Sequence, residues 1–169
     1  ALLMAAARQG LWQTELEQAL PRVNQVPSNF RRQRMTTVHK IPATFSFPVA
    51  LEAVWYWSQA TMAGAEYVAF TKGKIGSLLS VCEWIWVDGG AKPLDGNWRE
   101  RIREAKHQFT QKGLRVLGVA FRLLPSAPTP SLEDLERELI FIGLVGIDDP
   151  MRPEARAAIV GCHRAGIRP

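Results

Sequence analysis

Long hydrophobic runs are missing from this 169-residue chain. Its longest apolar stretch, Leu139 to Ile147, falls far short of the roughly 20 residues that cross a bilayer. The N-terminus has no basic flank ahead of its apolar residues, so no signal peptide is expected and the piece reads as soluble. Cysteine is scarce. Cys82 and Cys162 stand far apart and form no CxxC pair, which excludes a disulfide framework or a CxxC zinc site. Two small buried thiols in a reducing compartment are the expectation. His39, His107 and His163 have no partners at metal-ligand spacing. The chain also lacks a Walker-type loop and a GxGxxG segment. Any nucleotide would therefore have to be held by side chains and sheet surface.

What remains is a globular composition, 47% hydrophobic and 22% charged, in a chain long enough for one domain and the beginning of another. The net charge of +5 suits an anionic partner, either a nucleotide polyphosphate or nucleic acid. Arginines gather at Arg31, Arg32 and Arg34 and again at Arg99, Arg101 and Arg103. The second group has every-other-residue spacing on a helical segment, so its charges spread around the helix and read as solvated surface. The pairs Trp55/Trp57 and Trp84/Trp86 could serve as base-stacking platforms, but packing between sheet and helix faces is the expected use. Nucleic acid is accordingly not the expected partner.

Periodicity and punctuation set out the elements. Ala1 to Ala7 reads as a helix stopped by Gly10, and the chain begins inside it without a start signal. Thr14 followed by Glu17 forms a capping box for a helix over Glu15 to Leu20. Val23–Val26 and Arg34–Ile41 read as strands, and a helix is expected from Val49 to Ala63. Tyr67 to Lys72 is a strand, Ile75 to Val81 a helix, and Trp84 to Val87 a strand closed by the Asp88-Gly89-Gly90 turn. Trp98, Ile102, Ala105 and Phe109 share one face of a helix ending at Lys112, with Gly113 as its C′ residue. Apolar strands follow at Leu114–Phe121 and Leu139–Gly146, separated by a Pro- and Ser-containing loop and a short acidic helix. Pro153 and Glu154 open a last helix, stopped by Gly166. Strand, turn, helix and a further strand at Ile167 would begin a Rossmann-like βαβ unit. Both ends thus read as cut through structure.

Two residue patterns suggest anion binding. The strand Tyr67–Lys72 ends on a lysine followed at once by Gly73, which combines a compact charge with a backbone that allows close approach. By itself this pattern also fits a solvated turn. Arg115, at the start of an apolar strand, offers a planar fork for phosphate oxygens, or equally a pair with a buried carboxylate.

Four segments appear in a fixed order: Val26-Pro27-Ser28-Asn29-Phe30-Arg31-Arg32-Gln33-Arg34-Met35-Thr36-Thr37-Val38; Phe70-Thr71-Lys72-Gly73; Gly113-Leu114-Arg115-Val116-Leu117-Gly118-Val119-Ala120; and Phe141-Ile142-Gly143-Leu144-Val145-Gly146-Ile147-Asp148-Asp149-Pro150-Met151-Arg152-Pro153-Glu154. Together they resemble the nucleotide-binding domain of the P-type cation-transporting ATPases, nearest the calcium-pump-like subgroup. The resemblance covers almost the whole chain. It implies an α/β (α+β) fold with a mainly antiparallel sheet flanked by helices. It places the nucleotide-binding domain at residues 1–147 and a hinge with the first part of a phosphorylation domain at 148–169. The implied ligands are ATP and Mg2+. The implied partners are the phosphorylation, actuator and transmembrane domains of the same full-length protein, an ATP-driven translocase of which this would be a cytoplasmic part.

By the same resemblance Lys72 and Gly73 lie at the adenine pocket, Arg115 reaches toward the phosphates, and Phe30, Gln33 and Met35 belong to the first nucleotide-binding segment. Asp149, Pro150 and Arg152 form the hinge. The family's phosphorylated Asp-Lys-Thr-Gly-Thr segment and its magnesium-binding Thr-Gly-Asp segment do not occur in this sequence. The fragment alone is therefore expected to be inactive.

The first segment departs from the family pattern. Counting back from Met35, Ser28 stands where a stacking Phe is usual, Arg31 where an acidic residue is usual, and Gln33 where a Lys is usual. Phe30 has the parity to stack in its place along an extended chain, or could pack in the core. Loss of the aromatic stack would cost about 1–3 kcal/mol, so weak nucleotide binding is expected. Lys74-Ile75-Gly76 stands where Ala-Pro-acidic is usual, which leaves the helix entry there open. The alternative is a scaffold domain that has lost its nucleotide.

Overall fold

The computed structural model describes residues 2–42, 64–126, 135–148 and 153–168. The expected helix at 49–63 and the hinge residues Asp149, Pro150 and Arg152 lie outside them. Two short helices, α1 (Leu2–Arg8) and α2 (Gln13–Ala19), lead into strand β1 (Arg22–Val26). The capping box expected at Thr14 does not form. Helix α2 starts two residues earlier with Trp12 at its N-cap and no side-chain cap, and Glu17 instead accepts a bond from Gln13 Nε2 at 2.8 Å.

The remaining strands are β2 (Arg34–Lys40), β3 (Tyr67–Gly73), β4 (Cys82–Val87), β5 (Gly90–Pro93), β6 (Arg115–Leu124) and β7 (Leu139–Ile147). The remaining helices are α3 (Ile75–Leu79), α4 (Gly96–Gln111) and α5 (Pro153–Arg164). All seven strands form one sheet in the order β1-β2-β3-β6-β7-β4-β5. Every neighbouring pair is antiparallel except β4 with β7. Strand β5 was not foreseen. The Asp88-Gly89 turn, with φ of 54° and 76°, reverses the chain so tightly that Gly90–Pro93 pairs back on β4.

Helices α3 and α4 cover one face of the sheet, and glycines let them approach. A Cβ on Gly118 would stand 2.8 Å from Leu78, and one on Gly146 would stand 2.9 Å from Leu114. The core lies between these layers: Ile75, Leu78, Leu79, Cys82, Ile85, Leu94, Ile102, Ala120, Leu139 and Phe141. A satellite cluster of Val38, Ala69, Leu124 and Leu135 continues it over β2 and β3. Helix α4 is capped by Asp95, which accepts the Trp98 N–H at 2.9 Å, and Gly113 turns the chain out of it with φ 75°. Helix α5 begins at Pro153 as expected, whereas Ile167 and Arg168 form no strand. Among the described residues no helix is long and apolar enough to cross a membrane.

One of the α4 arginines is not solvated surface. Arg99 donates to the carbonyls of Leu79 (2.9 Å) and Cys82 (3.0 Å), where α3 ends and β4 begins. The Cys82 thiol beside it is buried, and burial pushes its pKa up to about 12, with Arg99 and then Arg34 pulling the other way. Cys162 is only half-buried, contrary to the expectation of two buried thiols.

Two outcomes test this packing. At Gly73 an added Cβ would fall 2.5 Å from Arg34 Cβ and 2.6 Å from the Gln33 carbonyl oxygen, whereas at Gly76 it would meet nothing within 4 Å. Gly73→Ala should cost about 1–3 kcal/mol in urea denaturation. Gly76→Ala, on α3, should gain about 0.5–1 kcal/mol. The Cys82 thiol stays protonated in the folded chain while the unfolded thiol ionises from 9.0 upward, so stability falls as pH rises from about 9 toward 12. The urea midpoint should drop less between pH 8 and pH 10 in Cys82→Ala than in wild type.

Candidate functional site

The face opposite α3 and α4 carries the residues of interest. Opposed residues in antiparallel strands share a face, so register places them. Met35 pairs with Lys72, Lys72 with Val119, and Val119 with Gly143, which makes one row across β2, β3, β6 and β7. Leu117 and Val145 form the next row, and Arg115 opposite Ile147 the one after. Both Lys72 and Arg115 are exposed, and among the described residues neither enters an ion pair or a side-chain hydrogen bond. The carboxylate partner considered for Arg115 is therefore not present among the described residues.

Between the two cations runs a shallow apolar floor. Val119 and Leu117 are half-buried, and a Cβ on Gly143 would meet nothing within 4 Å, so the surface dips beside Val119. Along β6 Arg115 lies four residues before Val119, about 13 Å at the usual strand rise. Toward the other end of the sheet the trough is bounded by rings on the same face. His39 meets Phe70 edge-on at 5.6 Å, and Trp86 meets Phe121 at 6.3 Å. The pairs Trp84 and Trp86 thus divide: Trp86 packs on the sheet, while Trp84 is 40% exposed.

The segment before β2 is a tight turn, not an extended chain. The Asn29 carbonyl accepts the Gln33 N–H at 2.8 Å and the Asn29 side chain accepts the Arg32 N–H at 2.8 Å. Gln33 adopts φ 50°, and its carbonyl accepts the Lys74 N–H at 2.9 Å. The turn is thereby fastened to the end of β3. Because the chain curls here, the alternating-parity argument for Phe30 does not apply. Phe30 is not in the core either: it stands 92% exposed at the corner of the turn, beside the exposed Arg31. Gly73 is explained by the same fastening, since its missing side chain makes room for Gln33 and Arg34.

Behind the turn, on the helix-bearing side, lies a polar centre that sequence reasoning missed. Glu136 is buried, and its carboxylate accepts from Arg32 Nη1 (2.5 Å), Arg34 Nε (2.7 Å) and Thr36 Oγ1 (2.7 Å). Thr36 Oγ1 also bonds Thr71 Oγ1 at 3.0 Å, next to Lys72. Arg34 Nη1 reaches Ser77 Oγ at 2.9 Å, and Ser77 Oγ donates to the Arg32 carbonyl. In sequence, an acidic residue between Leu135 and Leu139 was the only hint. Helix α3 does form after Lys74, though Lys74 gives it no side-chain cap. Among the described residues no three His, Cys, Asp or Glu side chains gather as a metal site.

So arranged, the sheet face offers a lysine, an apolar floor and a distant arginine, with the turn that carries the exposed Phe30 fastened to the end of β3. Comparison with known proteins shows the family. A family profile described as P-type ATPase, cytoplasmic domain N, matches residues 1–154. The chain is 33% identical over 168 residues to "Calcium-transporting ATPase 1" of Bacillus cereus, covering 99% of the chain and 16% of that protein. It is 34% identical over 169 residues to "Cation-transporting ATPase pma1" of Synechocystis sp., again covering 99% and 16%. Over 103 residues it is 38% identical to "Calcium-transporting ATPase 3, endoplasmic reticulum-type" of Arabidopsis thaliana, covering 60% of the chain and 10% of that protein. The chain thus spans about a sixth of the length of the first two relatives. It belongs to the cytoplasmic N-domain family of the P-type ATPases.

Proposed function

We propose that this chain holds ATP for a cation-translocating P-type ATPase, with the nucleotide lying along the groove from the Asn29–Gln33 turn to Arg115. The observation that carries this reading is the pair of exposed cations on one sheet face, without ion-pair partners among the described residues and joined by the Val119–Leu117 floor. An adenine ring can lie on that floor with Met35 and Lys72 beside it and Phe30 above the open end. Gln33 and Gly73 serve as the backbone junction that sets the width of this end. Arg115 then meets the phosphates, where a charge-assisted, two-pronged contact is strongest.

The apolar floor and the two exposed cations suit ATP. The described residues do not suit Mg2+, since no acidic cluster stands near Arg115 among them. In the full-length protein the aspartate that accepts the phosphoryl group belongs to a separate domain. Residues from 148 onward, with Asp149, Pro150 and Arg152 as hinge, lead into it. Work done by this chain is therefore binding and orientation, the entropic part of phosphoryl transfer. ATP-driven movement of a cation, calcium by analogy with the relatives' names, is the activity it serves.

Titration with a fluorescent ATP analogue tests the assignment. Lys72→Ala and Arg115→Ala should each weaken binding about tenfold, the loss of one exposed charge-assisted contact. With adenosine as competitor, Lys72→Ala should still matter and Arg115→Ala should not. Equal ATP binding by wild type and both variants overturns the site. No saturable binding by folded wild type favours the scaffold alternative that Ser28 and Gln33 suggest.

A further inference from the structure

Glu136 is buried on the opposite side of the sheet from Lys72, with 3% of its side chain accessible. A buried carboxylate between two guanidinium groups is poor evidence of stabilisation, because well-packed apolar side chains of the same volume usually serve as well. What such a centre supplies is geometry, and here the geometry converges on the nucleotide groove. Arg32 ties the carboxylate to the turn and also donates to the Pro27 carbonyl at 2.5 Å, which closes the turn at its base. Arg34 ties it to the first residue of β2 and to Ser77 on α3. Thr36 and Thr71 extend it through the sheet to the residue before Lys72.

The same strand then references both ends of the groove. Glu136 stands three residues before β7, and Ile147 at the far end of β7 is the cross-strand partner of Arg115. The turn bearing Phe30 and the arginine at the phosphate end are thus both measured from one strand. The Phe30 side chain, 92% exposed, does little to hold its backbone in place. Its position depends on the turn, and the turn depends on Arg32 and Arg34.

Resting on the ATP reading above, we propose that Glu136 is a positioning residue for nucleotide binding: through Arg32 and Arg34 it fixes the 27–33 turn against the end of β3, so that the turn and Lys72 are presented as one rigid clamp. It touches no ligand. Its removal loosens the clamp, and affinity falls even though the sheet survives.

The test compares Glu136→Gln with Leu79→Ala, a core truncation on α3 away from the groove, in the 169-residue chain at a temperature where both are folded by circular dichroism. Two readouts are taken: ATP affinity by fluorescent-analogue displacement, and amide hydrogen exchange at Arg32, Gln33 and Lys74, the three N–H groups that lock the turn. Glu136→Gln should lose about tenfold in affinity and the protection of those amides, while Leu79→Ala changes affinity less than twofold and leaves them protected. Wild-type affinity in Glu136→Gln, alongside impaired Lys72→Ala, overturns the positioning role and leaves the site standing. Equal losses in Glu136→Gln and Leu79→Ala also overturn it, since a merely structural role predicts that. Unchanged binding in Lys72→Ala and Arg115→Ala overturns the ATP reading and this inference together. Should Glu136→Gln fail to fold, Arg32→Met removes one arm while keeping the Arg34 pair, and at least a threefold loss of affinity with exposed turn amides is expected. Wild-type affinity in that variant overturns the proposal.

Discussion

A carboxylate shared by two arginines joins the turn before β2 to the segment before β7. Glu136 reaches across from the segment before β7 to the start of β2, a separation of about a hundred residues in sequence. Without it, two partly buried guanidinium groups would lose their counter-charge, a situation costlier than leaving them in water. The arrangement is self-consistent because each partner has a second anchor: Arg32 on the Pro27 carbonyl, Arg34 on Ser77, Thr36 on Thr71. Residues far apart in the chain are thereby fixed to within hydrogen-bond tolerance of one another. The open face of the sheet inherits that precision.

The two faces divide the labour. On one, glycines at 118 and 146 admit the tips of Leu78 and Leu114 so closely that an added methyl group would make them shift. That close packing is what makes a flat sheet stiff. On the other, Gly143 has nothing above it and the residues around it are half-buried. A ligand site needs both conditions at once: rigid support behind and vacant, partly apolar surface in front. The alternating directions of side chains along β6 deliver them from one strand, with Gly118 and Ala120 facing the helices while Arg115, Leu117 and Val119 face the groove.

How much of this was legible in the sequence depended on whether the information was local. Strands β2, β3, β6 and β7 and helix α4 could be read because apolar spacing and the Gly113 stop are local signals. Lys72 and Arg115 stood out by their place at strand ends and their company. Strand β5 was missed because it is short and polar, and exists only through the turn at Asp88-Gly89 that folds it onto β4. The capping box at Thr14 was a false local signal, overridden when Trp12 took the N-cap. Arg99 looked solvated from its spacing alone, because the carbonyls it caps belong to α3 and β4. Glu136 was illegible for the same reason: its partners are brought to it only by the completed sheet. Phe30 was half legible. Its exposure was not foreseen, because parity assumes an extended chain and Asn29 bends this one into a turn.

That bend changes the meaning of the substitutions in the first segment. With Ser28 in place of a stacking ring, the groove loses a platform at the position the family pattern marks. The turn instead carries Phe30 and Arg31 on its outer corner, at a backbone position locked by Gln33. A ring held there can contribute stacking at low entropic cost, because the backbone beneath it is already ordered. The charges contribute less. Lys72, Arg31 and Arg115 are exposed, where an ion pair at contact is worth about 1 kcal/mol and salt screens it further. In the ATP site proposed for this chain, affinity would rest mainly on the apolar floor and the ordered turn, with the cations setting which end of the nucleotide lies where. A domain built this way suits a nucleotide that is plentiful and must leave again after each transfer.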